Sequence, residues 1–427
     1  MLNFRGFAEA EFDFHPNFNL LVGENASGKT SVLDALSVAA GSWFLGIGGC
    51  ANRHIKADDV RCVVIQQGET MTMEESYPVE VSATGIIDWT KHTPNKETWK
   101  RDIENAGGKT RFKDAVVIKK KAAEIEILVR NGASVALPLV AYYGAGRLWV
   151  PAKDMEGGAT EMNAGLQSRF DGYKTSIDPR ISFSNLFRWL RTEKYVALEK
   201  QGERKTFHIV KAAMKSCLEG CESLDYDVSQ QTLLVTLRSG RVLPYHLLSD
   251  GQRAMLALVA DIAIKAATLN PQLEEHVLEE TRGVVLIDEL DLHLHPRWQR
   301  HVVADLKRTF PKLQFFASSH SPQVIGETPH NEIILLKSDG TWMRPDASVG
   351  MHSNEVLREI MGAEIVNADA AREFETISRL IDDAEFEAAQ TRINAYRERM
   401  GNLPELEASE VYMAKVEALA EERKEEG

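Results

Sequence analysis

The stretch that most constrains this chain is Gly23-Glu24-Asn25-Ala26-Ser27-Gly28-Lys29-Thr30. It fits the spacing of a phosphate-cradling loop: glycine, four residues, then Gly-Lys-Ser/Thr. Before it, Asn19-Leu20-Leu21-Val22 reads as a short buried strand. After it, Ser31 to Ala40 reads as a helix with Val32, Leu33, Leu36 and Ala40 on one face. A strand, a glycine-flanked loop and a helix N-terminus make an anion site, because the loop amides point inward and the helix dipole adds partial positive charge. The pattern sets Gly23, Glu24, Asn25, Ala26, Ser27, Gly28, Lys29, Thr30 and Ser31 around a nucleotide. Lys29 is expected to reach the β- and γ-phosphates and the Thr30 hydroxyl to ligate Mg²⁺.

A chain of 427 residues with 44 % hydrophobic and 26 % charged content can bury one large or two ordinary globular domains. No apolar run approaches the ~18 residues of a membrane span, and Met1 to Gly6 lacks the pattern of a signal peptide. Cys50, Cys62, Cys217 and Cys221 are unevenly spaced and form no disulfide framework; Cys217 and Cys221 read as two unrelated buried thiols. A cytoplasmic protein with no membrane partner is expected. The net charge of −13 is uneven: from Met351 onward roughly 19 acids face 9 bases, so the tail carries about −10 of it. Acidity thus excludes the tail, and not the body, as a surface for nucleic acid.

Along the body, Phe4 to Phe14 suggests two short strands, and Val60–Gln66 and Val79–Thr84 two more. Trp89 to Ala106 reads as a polar helical arm carrying Trp89 and Trp99. Lys109, Arg111, Lys113, Lys119, Lys120 and Lys121 form a basic run, read either as a phosphate-tracking patch or as a solvated helix face. Leu137 to Tyr143 is a strand running into Gly144-Ala145-Gly146-Arg147. Residues from Pro151 to Leu224 suggest an inserted helical subdomain, with a cap at Ser182 and Phe183, Leu186, Phe187 and Leu190 at helical spacing. Thr232–Leu237 and Arg241–Tyr245 then form a hairpin.

Three further stretches carry chemistry. Leu248-Ser249-Asp250-Gly251-Gln252-Arg253 opens a long helix over Ala254–Ala267, and a serine with exposed amides at a helix start is a second anion site or a plain cap. Val284-Val285-Leu286-Ile287 is a strand apolar on both faces, hence parallel-sheet core, ending in Asp288-Glu289. Acids at a strand's carboxyl end sit where open α/β sheets bind ligands. Asp288 is placed to hold Mg²⁺ and Glu289 to polarise the attacking water. Leu313–Ala317 is another buried strand, followed by His320, placed to donate to a γ-phosphate. His293 and His295 alternate with leucines but lack a third metal ligand.

Gly23–Thr30, Leu248–Arg253, Val284–Glu289 and His320 together resemble the ABC-type ATPase heads of SMC, RecF and OLD-family proteins. There these stretches are the Walker A motif, the signature motif, Walker B with its D-loop, and the switch histidine. The resemblance covers most of residues 1–335. It is closer still to the Septu-type anti-phage ATPases and their retron-associated relatives, through Leu-Leu-Ser-Asp-Gly-Gln-Arg, Leu-Ile-Asp-Glu-Leu-Asp-Leu-His-Leu-His-Pro-Arg-Trp-Gln and Ser-Ser-His-Ser-Pro-Gln-Val-Ile.

The resemblance implies an α/β ABC-type P-loop head over residues 1–345, with an insertion at roughly 85–130 and a helical subdomain at roughly 151–230. It implies ATP and Mg²⁺ as ligands, Lys29, Glu289 and His320 as catalytic residues, and Thr30 with Asp288 on the metal. It also implies that Ser249, Asp250, Gly251 and Gln252 meet the ATP of a second copy, so the first partner is the chain itself, in a dimer or higher even oligomer. The further partners implied are a separate HNH nuclease subunit (PtuB-like) and DNA. Two departures stand out: Asp250 occupies the position of a glycine in the transporter-type signature, and no Q-loop glutamine is evident, the turn after Tyr143 taking its place.

Beyond Asn331–Leu336, read as the final strand, Phe374, Ile377, Ile381, Ala384 and Ala388 repeat at helical spacing. So do Phe386, Ala389, Ile393, Tyr396 and Met400. A hairpin turning near Asp382-Asp383 and a third helix beyond Pro404 are predicted, giving an acidic helical domain over 346–427 for oligomer or partner contacts. The long heptad run of a rod-forming SMC protein is lacking, and so is a His-Asn-His nuclease motif. About 80 acidic helical residues are too few for the metal-binding nuclease domain of OLD proteins, so any DNA cleavage is expected to belong to another chain. The other readings are a RecF- or SMC-like DNA-repair ATPase and an ATP-sensing scaffold with little turnover.

Overall fold

The doubly apolar runs lie side by side in one six-stranded sheet. Its order is Leu139–Tyr143, Gly283–Ile287, Leu313–Ser318, Phe18–Gly23, Ile333–Leu336 and Trp342–Met343. The first five strands are mutually parallel, and Trp342–Met343 adds an antiparallel edge beyond the strand expected to be last. The computed structural model describes residues 1–68, 70–89, 95–148, 168–177, 183–363 and 368–425. Every residue of Phe18–Gly23 is buried, as a strand covered on both faces must be. The register sets Leu21 opposite Ser318, Ala317 opposite Ile287, and Ile287 opposite Tyr143. Parallel strands in this register end at one edge, so the loop after Gly23, the acids after Ile287 and the histidine after Ser318 emerge together.

The helix Lys29–Ala40 buries Val32, Leu33, Ala35, Val38 and Ala39. Val32 and Leu33 join Leu21, Leu286, Phe316 and Ile334 of the sheet in one apolar cluster. A second sheet runs in the order Phe7–Glu9, Leu2–Phe4, Val79–Ile86, Lys96–Ile103. Its last strand corrects the expected helical arm over Trp89–Ala106: Lys96–Ile103 pairs antiparallel with Val79–Ile86 over eight residues. The strand escapes a pattern reading because its buried residues include Arg101 and Asp102 beside Trp99 and Ile103. The Trp99 indole donates to the carbonyl of Ala39 (2.9 Å), and Trp89 packs on Trp43 with ring centroids 6.0 Å apart, so both tryptophans serve their own domain.

The basic run splits between an irregular segment and the helix Val116–Arg130. Arg111 is paired with Asp102 and Glu104, Lys121 with Asp88, and Lys119 sits over the Phe112 ring. Phe183–Glu199 and Lys205–Ser216 are helices, whereas the cap expected at Ser182 and most of residues 151–182 lie outside the described residues. Cys221–Asp227 extends the expected hairpin of Thr232–Leu237 and Val242–Pro244 to three strands. Cys217 and Cys221 are buried and free.

The chain divides into two compact units, Met1–Val356 and Leu357–Gly427. The second contains the helices Ala368–Asp382, Phe386–Met400 and Pro404–Glu425. Its core is Ala370, Ile377, Ile381, Ala389, Ile393, Tyr396 and Leu406, largely the residues of the two predicted stripes. Among the described residues no helix is long and apolar enough to cross a membrane.

Candidate nucleotide site

The loop between Phe18–Gly23 and the helix Lys29–Ala40 turns through Ala26 (φ 64°) and Gly28 (φ 97°). Gly28 cannot readily be replaced there: its φ is left-handed, and a Cβ would lie 2.5 Å from the Phe7 ring. The Lys29 ammonium folds back over the loop, donating to the carbonyls of Gly23 (2.9 Å) and Glu24 (2.7 Å). Burial lowers the Lys29 pKa, and the carboxylates of Asp288 and Glu289 oppose that shift. The ammonium therefore has two neutral carbonyl partners and two acids within electrostatic reach, and phosphate oxygens offer it stronger, charge-assisted bonds.

Across the sheet edge, Thr30 Oγ1 donates to Asp288 Oδ2 (3.0 Å) and Ser318 Oγ donates to Asp288 Oδ1 (2.5 Å). Ser318 Oγ in turn accepts the Glu289 N–H (2.7 Å), while the Asp288 N–H donates to the Tyr143 carbonyl (2.7 Å). One residue on, Ser319 Oγ donates to Asp291 Oδ1 (2.6 Å), which also accepts the His320 N–H (3.3 Å). Asn25, Lys29, Thr30, Asp288, Glu289 and His320 line a cleft of about 250 Å³. The side chains predicted from three separate stretches thus converge. A hydroxyl and a carboxylate 3.0 Å apart are the hard oxygen donors that Mg²⁺ takes. No group of three or more His, Cys, Asp or Glu side chains suited to a metal occurs among the described residues. Thr30 and Asp288 therefore fit an ion that draws its remaining ligands from phosphate and water, the usual habit of Mg²⁺.

Ser249, Asp250, Gly251 and Gln252 are elsewhere. They line a separate cavity of about 660 Å³ with His293, His295 and Trp298. Ser249 caps the helix Asp250–Leu269: its Oγ accepts the Gln252 N–H (3.3 Å), and the Gln252 side chain accepts the Ser249 N–H (3.0 Å). Asp250, the acid at a glycine position, is paired with Arg253 one turn on. Gly251 has a packing reason to be glycine, since a Cβ would lie 2.4 Å from the His293 carbonyl oxygen. His295 caps a short helix, its Nδ1 accepting the Arg297 N–H (3.3 Å). The turn after Tyr143 holds no glutamine. Tyr143 itself donates to Asp261 (2.7 Å) on the long helix, which also pairs with Lys265. Burial, with Asp261 adding to it, raises the Tyr143 pKa well above that of a free phenol.

Sequence reasoning missed Ser318, Ser319 and Asp291 as a connected set. Their only signal is that Ser-Ser and Asp-Glu-Leu-Asp each stand at the end of a buried strand, which does not reveal that the two strands are neighbours.

A glycine-flanked loop with Lys29 and Thr30 after a buried parallel strand, two acids on the next strand but one and a histidine on the strand between are the arrangement of an ABC-type ATPase domain. The chain belongs to the family described as AAA domain, putative AbiEii toxin, Type IV TA system, which matches residues 18–326. It is 27 % identical to the retron Ec83 probable ATPase of Escherichia coli, over 84 % of this chain and 74 % of that protein. It is 34 % identical to the Septu protein PtuA of Bacillus thuringiensis over 23 % of this chain and 28 % of that protein. A solved SMC head bound to the C-winged helix domain of ScpA aligns with 81 % of this chain and 94 % of its own, at 16 % identity and a TM-score of 0.45.

Proposed function

We propose that this chain binds and hydrolyses ATP with Mg²⁺ in the Lys29–Asp288–His320 cleft, and that two copies close on each other around ATP. We further propose that this switch controls a separate HNH nuclease subunit in anti-phage defence. The observation that carries the dimer is the separation of the two cavities: they share no lining residue, although both are built on helix N-termini. A phosphate chain held at Lys29 is therefore open to a second surface, and the Ser249 cavity of another copy supplies one. The similarity to retron and Septu proteins supports the defence role.

In this reading Lys29 exchanges its loop carbonyls for the β- and γ-phosphate oxygens. Thr30 and Asp288 hold Mg²⁺, which when bound neutralises phosphate charge. Glu289 takes a proton from water as the water oxygen bonds to the γ-phosphorus and the bond to the β,γ-bridging oxygen breaks, leaving ADP and phosphate. His320 donates to a γ-phosphate oxygen. ATP favours the closed dimer only through its greater affinity for that state, and hydrolysis removes the preference.

The test is sedimentation of the protein carrying Glu289→Gln with and without ATP and Mg²⁺, followed by a cleavage assay with the HNH subunit. We expect an ATP-dependent doubling of mass and nuclease activity that changes with nucleotide state. A protein that stays one size in saturating ATP removes the dimer. ATP-dependent binding to DNA junctions, with no influence on any nuclease, moves the function to DNA repair.

A further inference from the structure

Glu289 has a left-handed backbone (φ 52°), a conformation that a side chain longer than that of asparagine rarely adopts without restraint from its surroundings. The restraint is visible. Ser318 has one hydroxyl proton and gives it to Asp288 Oδ1 (2.5 Å), while its own Oγ accepts the Glu289 N–H (2.7 Å). The Ser318 carbonyl then accepts the Leu290 N–H (2.8 Å). One serine on the neighbouring strand thus holds the side chain of one acid, the amide of the next, and the amide after that. It is buried, at 1 % exposure, on a strand packed between those of the loop and the acids.

We propose that Ser318 is a positioning residue for ATP hydrolysis. Through the Asp288 carboxylate and the Glu289 amide, its hydroxyl fixes the left-handed turn and so the direction of the Glu289 side chain. The assignment rests on Glu289 acting as the base, but its physical core does not: the restraint consists of bonds within the chain itself. Both bonds need an oxygen that donates and accepts at once. A threonine at 318 keeps that oxygen, whereas valine, of nearly the same shape, and alanine remove it.

The test has two arms on the whole chain, with Ser318→Thr, Ser318→Val and Ser318→Ala. In the first, amide hydrogen exchange is followed in the peptide spanning residues 286–292 without nucleotide. Exchange at Glu289, whose amide bonds the hydroxyl, is expected to rise at least tenfold in the valine and alanine variants and to stay near wild type in the threonine variant. In the second, ATPase turnover is expected to fall about tenfold to a hundredfold in the valine and alanine variants, with KM for ATP within a factor of about three and threonine restoring the rate. Combined with Glu289→Gln, Ser318→Ala should cost nothing further. Wild-type exchange in Ser318→Val, equal losses in all three variants, or a full additional loss on the Glu289→Gln background would each overturn the proposal. If Glu289→Gln alone leaves turnover intact, the base assignment is what fails, and the exchange arm still decides whether Ser318 holds the turn. A variant too unstable to purify is replaced by Ser318→Cys, whose weak donor should give intermediate exchange; exchange equal to wild type there also counts against the proposal.

Discussion

At the cleft of Gly23–Thr30 the acids come from a strand end, and each is tied to an element distant in sequence. Asp288 is bound by Thr30 and Ser318, Glu289 by Ser318, and Asp291 by Ser319 and His320. At Ser249 the ties are local: Ser249 with Gln252 and Asp250 with Arg253, all within one helical turn. The first arrangement is preorganised for charge that develops at a fixed point, which is what electrostatic catalysis requires. The second presents a helix N-terminus with Ser249 and Asp250 exposed, which is what a docking surface requires. Both regions lie at helix N-termini and differ in how far across the fold their ties reach.

The largest expected effect breaks the cleft's chemistry while leaving its shape. Glu289→Gln keeps the amide bond to Ser318 and removes the proton acceptor, so turnover should fall about 10²- to 10⁴-fold, the usual worth of a general base, with ATP still bound. Turnover measured by phosphate release alongside ATP binding checks this. Lys29→Ala comes next. It deletes the ammonium that now spans Gly23 and Glu24, and a charged hydrogen bond contributes about 1.5–3 kcal/mol, so ATP affinity should fall about 10- to 100-fold. Calorimetric titration with ATP and Mg²⁺ reads it. An unchanged dissociation constant would mean that the phosphates are held elsewhere.

The same contrast explains what a reader of the chain can foresee. Phe18–Gly23, Gly283–Ile287 and Leu313–Ser318 are legible because strands buried on both faces are nearly continuous apolar runs, and the polar residues that end such runs stand out in the sequence. The C-terminal helices are legible because Ile377, Ile381, Ile393 and Tyr396 repeat on one face. Lys96–Ile103 is not legible, since its burial is shared by Trp99, Arg101 and Asp102, and a buried charge looks like a solvated one until its partner is known. Here the partner of Asp102 is Arg111, which lies in the basic run. For the same reason the Ser318–Asp288 and Ser319–Asp291 bonds are invisible. Each joins residues about 30 apart whose proximity depends on strand order, which no local pattern encodes.

The smallest effect is the most discriminating for the second cavity, because Ser249 has two roles that separate by choice of substitution. As an N-cap it satisfies the Gln252 amide; replacing such a serine with alanine costs about 1 kcal/mol, and with glycine only a few tenths. If capping is its whole contribution, Ser249→Gly should resemble wild type in thermal unfolding and in ATP-driven dimerisation, with Ser249→Ala slightly worse in both. If the hydroxyl also meets the phosphates of a second copy, both substitutions remove that contact. ATP-driven dimerisation should then weaken about tenfold in each, the equivalent of about 1.4 kcal/mol, while the unfolding midpoint drops only in the alanine variant. Sedimentation across an ATP titration, set beside thermal melts of the same two proteins, separates these outcomes. Glycine dimerising like wild type would return Ser249 to the status of a cap and leave the cavity without a role in nucleotide binding.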